Sequence, residues 1–217
     1  RSDRGSRPYA HPNSSRSTRA FDRRILERVT NMPRTSAEND RIRQATREHI
    51  LKTALSLFCD RGYYATSIEE IAKLAQISKG LLYHYFKSKA EVLAALVDLR
   101  IEEVLLVMNA ATAEPTPAAQ IRHIVEGALA NVQQQPDVFR FYLNLFSQPN
   151  LDPIAAQSSQ KLQDEQARQF EVQTQMFERM GVENPRVRSL YFSATLQGIM
   201  LMFSTYPENF SLEEMKA

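Results

Sequence analysis

The chain has 217 residues, with 27 Lys+Arg, 25 Asp+Glu, four His, one Cys and six Gly. A single Cys59 excludes an internal disulfide framework, the scattered histidines make no closed zinc site, and the absence of G-x-G-x-x-G or G-K-[ST] excludes a glycine-rich phosphate cradle. The net charge of +2 hides an asymmetry: residues 41–90 carry nine basic and four acidic side chains while 91–217 carry nine and sixteen, so a polyanion partner is expected at one end only.

Within residues 1–38, the stretch 1–31 is rich in Arg and Ser, with Asp3, Asp22, Glu27, Pro8 and Pro12 interrupting any likeness to a transit peptide. Residues 1–38 read as a disordered basic arm or an extension, with Met32 as an alternative start. From Asp40 to Arg61 the apolar residues Ile50, Ala54, Leu57 and Phe58 recur at helical spacing, and Gly62 supplies the stop. Thr66-Ser67-Ile68-Glu69 reads as a capping box opening a short helix that ends near Ala75. Ser78 is the next N-cap, for a helix through about Phe86. Ser88-Lys89-Ala90-Glu91 is a second capping box, for a long helix to about Ala113.

Pro117 suits the first turn of a further helix, and Asp137 is placed to cap a short aromatic one. Asp152-Pro153 reads as N-cap and first residue of a Gln-rich helix that Gly181 ends, and Asn184-Pro185 repeats that signal. The stretch from Ser189 to Pro207 carries no charge, but its six Ser, Thr and Gln residues favour a helix buried on two sides over a membrane span. Ser211 is placed to cap a final piece. The fold class is therefore all-α, with about nine helices and no strand. Its expected parts are the arm 1–38, a domain of short helices over 39–88 and a domain of longer helices over 89–217.

Residues 66–89 carry the chemistry. Two short helices meet at a tight turn near Gln76-Ile77. Ile68, Ile71, Ala72, Ile77, Leu82 and Phe86 are spaced to face one small core. Lys79, Gly80, Leu81, Tyr83, His84 and Tyr85 are left on the other face of the second helix, as a helix-turn-helix requires for entry into a major groove. Lys79 is suited to phosphate or guanine acceptors, Leu81 to a thymine methyl, and Tyr83 and Tyr85 to phosphate. The helix starts at Thr66, Ser78 and Ser88 offer amides to anions, with Lys89 adding charge to the last. Taken singly, each of these residues is more ordinarily a cap, a core aromatic or a surface group. Their agreement in one segment favours DNA.

The run Leu57-Phe58, Gly62-Tyr63, Thr66-Ser67-Ile68, Ile71-Ala72, Ile77-Ser78-Lys79-Gly80-Leu81-Leu82-Tyr83-His84-Tyr85-Phe86-Lys87-Ser88-Lys89 and Leu93 resembles the N-terminal domain of TetR-family transcriptional regulators, over residues 45–93. The resemblance implies DNA contacts at Ser67, Lys79, Gly80, Leu81, Tyr83, His84, Tyr85 and Lys89, and core positions at Leu82 and Phe86. Two departures stand out. Gln76 occupies a turn position where the family often has Gly, which implies a left-handed residue at a cost of about 1 kcal/mol. Glu69 is acidic where the family sometimes has a basic contact, and is assigned to the cap.

A helix that reads one half-site needs a symmetric partner. The segment Pro185–Tyr206 is the candidate dimer helix, with Leu190, Tyr191, Ala194 and Gly198 at the contact and the Pro153–Met180 helix beside it. The resemblance further implies a small effector held by the C-terminal helices. Met108, Phe139, Phe141, Tyr142, Phe146, Met176, Phe177 and Met200 are the candidate lining, and an apolar or aromatic effector fits them. The leading reading is a cytoplasmic, dimeric repressor released from a palindromic operator, with no cofactor, no metal and no catalytic residues. An enzyme finds no Ser/His/Asp set or H-E-x-x-H in its support, and a helical module binding another acidic partner is the alternative.

Overall fold

The computed structural model describes residues 35–146 and 152–211. Eight helices run through the described residues: α1 (Ser36–Arg61), α2 (Ile68–Leu74), α3 (Lys79–Tyr85), α4 (Lys89–Thr112), α5 (Pro117–Gln134), α6 (Pro136–Phe146), α7 (Pro153–Arg179) and α8 (Pro185–Thr205). No strand occurs among them. Two compact units divide the chain, residues 1–45 and 46–217. In the first, helix begins at Ser36, four residues before the expected Asp40, because the Thr35 hydroxyl accepts from the Glu38 amide at 3.3 Å. The rest of the expected arm, and the piece after Ser211, lie outside the described residues.

Local chemistry sets most boundaries. Gly62 stops α1 at φ +84°, a left-handed value that costs glycine little, and its amide donates to Phe58 at 2.9 Å. Ser78, Ser88, Thr116 and Asp152 each accept from the amide three residues on. Two expected caps are corrected. Asn184 sits at φ +53° and makes no capping bond, so α8 starts on Pro185 alone. Asp137 lies inside the first turn of α6 and pairs with Arg140, while the helix opens on Pro136. The second capping box is half formed: Ser88 accepts from the Glu91 amide, but the Glu91 carboxylate turns back to the Lys87 amide at 2.8 Å.

The main core joins the head to the helices beyond it. Ile50, Leu51, Phe58, Ile71, Leu82 and Leu93 are buried together with Phe141, Tyr142, Leu145, Ala155 and Leu162. Phe58 stacks on Phe141 with centroids 5.8 Å apart, and Tyr63 meets Phe58 edge-on at 5.4 Å. A second cluster holds Met108, Ala111, Ile124 and Met176, and a third Leu129 and Val132 against Phe139, Leu196, Ile199, Met200 and Phe203. At Gly127 a Cβ would stand 2.8 Å from Cγ1 of Val107, so α5 closes on α4 at a distance only glycine permits. No described helix is long and apolar enough to cross a membrane.

Candidate nucleic-acid interface

Helix α2 begins one residue later than the sequence pattern suggests. Ser67 is the cap: its hydroxyl accepts from the Glu70 amide at 3.2 Å, and the Glu70 carboxylate accepts from the Ser67 amide at 2.8 Å. Thr66 is 2% exposed, and its hydroxyl donates to the Gly62 carbonyl at 2.9 Å. That corrects Thr66 both as a cap and as a DNA contact, since its side chain is spent inside the fold. Arg61 steadies the true cap by donating to Glu70 at 3.1 Å.

The turn closes through Gln76, in the left-handed region at φ +56°, after which the Ile77 amide donates to the Ala72 carbonyl at 3.0 Å. From the side, Nε2 of His49 donates to the Ala75 carbonyl at 3.1 Å. Ser78 then starts α3, accepting from the Leu81 amide at 3.1 Å. One face of α3 goes down: Leu82 is 0% exposed and Phe86 is buried. Lys79, Gly80, Leu81, Tyr83 and His84 stay exposed. Tyr85 is half-buried against the core, its ring edge-on to His84 at 5.6 Å. Apart from Thr66, Lys89 and the half-sunk Tyr85, the expected contacts therefore share the outer side of the two short helices.

Lys89 is the second correction. Its ammonium donates to the carbonyls of Tyr63 at 2.7 Å, Thr66 at 2.8 Å and Tyr64 at 3.3 Å, and lies 4.4 Å from the centroid of the Tyr63 ring. Three donors meeting three carbonyls leave none for a phosphate. Burial lowers its pKa below the ordinary lysine value, against the opposing pull of Asp152 and Glu70. Lys89 braces the loop that precedes α2.

Lys79 has a partner that the sequence reading did not give it. Its ammonium pairs with the Glu69 carboxylate across the two helices and lies 5.7 Å from the Tyr83 ring centroid. Glu69 thus leaves the capping role assigned to it. The pair's only sequence signal is an acidic residue in the first turn of a helix and a basic residue ten positions on.

The expected effector residues do not gather in one place. Tyr142 is buried in the main core and donates to the Leu96 carbonyl at 2.8 Å. Met108 and Met176 belong to the second cluster, with the Phe177 ring packed edge-on against Phe192 at 5.8 Å. Phe139 and Met200 belong to the third, and the side chain of Phe146 lies outside the described residues. Met176 also lines a cleft of about 470 Å³ with Thr112, Gln120, Val172, Gln175 and Arg179. Of the dimer candidates, Leu190, Tyr191 and Ala194 are exposed and Gly198 is half-buried, all on one stripe of α8.

Comparison with known proteins agrees with this geometry. The sequence profile of the bacterial regulatory proteins of the tetR family matches residues 50–96. YuxN of Bacillus subtilis, an HTH-type transcriptional regulator, is 31% identical over 106 residues, 48% of this chain and 36% of its own length. RutR of Escherichia coli, another such regulator, is 28% identical over 109 residues, half of this chain and 51% of its own. The chain thus spans from about a third to half of these relatives. A TetR/AcrR-family transcriptional regulator from Thermobifida fusca superposes with a TM-score of 0.53 at 26% identity, over 74% of this chain and 84% of that one. The TetR-family regulator PfmR of Thermus thermophilus has the same fold, with a TM-score of 0.60 at 24% identity over 71% and 85%. The capped helix pair thus lies within residues that match the tetR family of bacterial regulatory proteins, and the chain is similar to TetR-family transcriptional regulators in sequence and fold.

Proposed function

We propose that the protein is a dimeric, sequence-specific repressor in the cytoplasm, which leaves a palindromic operator when a small effector binds. One observation carries the reading: on α3, Leu82 is 0% exposed while Lys79, Gly80, Leu81, Tyr83 and His84 stand in solvent on the opposite face. A helix held that way presents donors, a methyl-seeking side chain and no bulk at Gly80 to the edges of base pairs. Two copies whose α3 helices lie about 34–36 Å apart would read successive turns of one duplex face.

The exposed stripe of α8 supports the dimer, because five large apolar side chains, Val187, Leu190, Tyr191, Leu201 and Met202, are each at least 41% exposed in a single chain. For the effector, the cleft is lined by the apolar Met176 and Val172 together with the polar Gln120, Gln175 and Arg179. Release follows if the effector binds more tightly to the conformation in which the heads do not fit the operator.

Selection of bound sequences from random duplexes, followed by anisotropy titration, tests the reading. A palindromic site is expected, with Lys79→Ala and Tyr83→Ala weakening its binding by about 1 kcal/mol or more each and leaving the thermal midpoint in place. A folded protein that selects no sequence at moderate salt would refute it.

A further inference from the structure

The ion pair between Glu69 and Lys79 lies on the surface offered to DNA and serves neither helix cap. Ser67 and Glu70 cap α2, and Ser78 caps α3. The side chains of Lys79 and Glu69 are 53% and 55% exposed, and a pair this open adds little to stability. Its effect has to be sought in what approaches it.

We propose that Glu69 is a specificity-determining residue, whose carboxylate converts Lys79 from a phosphate contact into a base-edge contact. The inference rests on the DNA-binding reading above. An ammonium has three donors. Glu69 takes one, and the Tyr83 ring flanks the group at 5.7 Å. A phosphate that came to the remaining donors would set a full negative charge beside the Glu69 carboxylate. Guanine O6 and N7 carry only partial charge, so they reach the same donors without that repulsion.

The contact also keeps both groups ionised. The hydrogen bond from Lys79 lowers the Glu69 carboxyl below its usual range, and Glu69 raises the lysine. The pair is therefore neutral as a unit and displaces no counterion from a duplex. Random DNA gains nothing from Lys79, while an operator with guanine in the right place does. Specificity rises because the non-specific competitor is weakened.

Anisotropy titrations of the full chain, on the selected operator and on a random duplex of equal length over a range of salt, test the proposal. Glu69→Gln should bind the random duplex about two- to fivefold more tightly and steepen its salt slope by about 0.9 per head. The operator-to-random ratio should fall accordingly. Glu69→Asp should behave as the wild type, since the carboxylate is kept. Lys79→Gln combined with Glu69→Gln, which removes both charges and keeps the unit neutral, should lose operator affinity while its random-duplex slope stays unchanged. A slope that drops in that double variant, a random-duplex affinity unmoved in Glu69→Gln, or a Glu69→Asp that matches Glu69→Gln would each overturn the proposal and leave DNA binding standing. A wild-type protein that selects no DNA would remove both.

Discussion

The Tyr63 hydroxyl donates to the Asp152 carboxylate at 2.8 Å, across 89 positions of sequence. The other oxygen of Asp152 accepts from the Ala155 amide at 3.0 Å. One side chain thus starts α7 and anchors the loop that ends α1. Burial raises the Tyr63 hydroxyl well above its ordinary range, and the hydrogen bond to Asp152 adds to that rise. Burial would also raise Asp152, but the Ala155 amide, the Tyr63 hydroxyl and nearby Lys89 outweigh it and hold its carboxyl below the usual value.

A carboxyl depressed in the folded state contributes stability that is fully present above the unfolded value, about 4, and lost as pH falls through the folded one. Asp152→Asn keeps a cap and an acceptor for Tyr63 and removes only the charge. It should cost about 0.5–1 kcal/mol at pH 7 and nothing once pH is low enough to protonate the wild-type carboxyl. Asp152→Ala, which loses cap and tether together, should cost about 1–3 kcal/mol. Urea denaturation at several pH values reads both. A gap between wild type and Asp152→Asn that stays constant into acid would show that the charge is not the agent.

Lys89 makes the opposite case to a DNA contact. Its three carbonyl partners, Tyr63, Tyr64 and Thr66, come from one loop. Lys89→Met should destabilise the chain by about 1–3 kcal/mol, because carbonyls bonded to a charged donor lose it. The salt slope of operator binding should not change. A slope reduced by about 0.9 would instead make Lys89 a phosphate ligand.

Gln76 holds a left-handed conformation, at φ +56°, that L-residues other than Asn and Asp seldom adopt. Gly at this position relieves the strain but adds freedom to the unfolded chain. The strain is the larger of the two, so Gln76→Gly should raise stability by about 0.5–1 kcal/mol. Thermal unfolding would show the rise, and a fall would mean that the Gln76 side chain makes up for its backbone.

Most helices were legible because their signals are local. Ser78, Asp152-Pro153 and Gly62 each act within one turn of their own position. The start of α1 was legible too, in Thr35 and Glu38 three residues apart, but the polar residues around them concealed it. Thr66 and Ser67 offer identical patterns, each with Glu three residues on. What separates them is the Gly62 carbonyl, which takes the Thr66 hydroxyl inward. Lys89 and Tyr63 bond over 23 to 89 positions, a range at which spacing carries no signal. The Met and aromatic residues of the C-terminal helices announced burial and not which cluster each would join, since the same side chains suit a core and a cavity lining.

Gly198 provides the sharpest test of the proposed dimer. It sits within the 21-residue helix α8, where Gly costs about 0.5–1 kcal/mol relative to Ala. A Cβ there would meet nothing within 4 Å of its own chain. Packing inside one copy therefore gives no reason for glycine. A second helix crossing against the stripe of Leu190, at 54% exposure, and Tyr191, at 69%, does give one, because backbones approach closely where no side chain intervenes. Gly198→Leu should leave the monomer folded and weaken association, so that sedimentation shows monomer at concentrations where the wild type is dimeric. Leu190→Glu combined with Tyr191→Glu should do the same, by placing unpaired charge at the centre of the contact. If both variants sediment as the wild type does, α8 is not the face on which the proposed dimer forms.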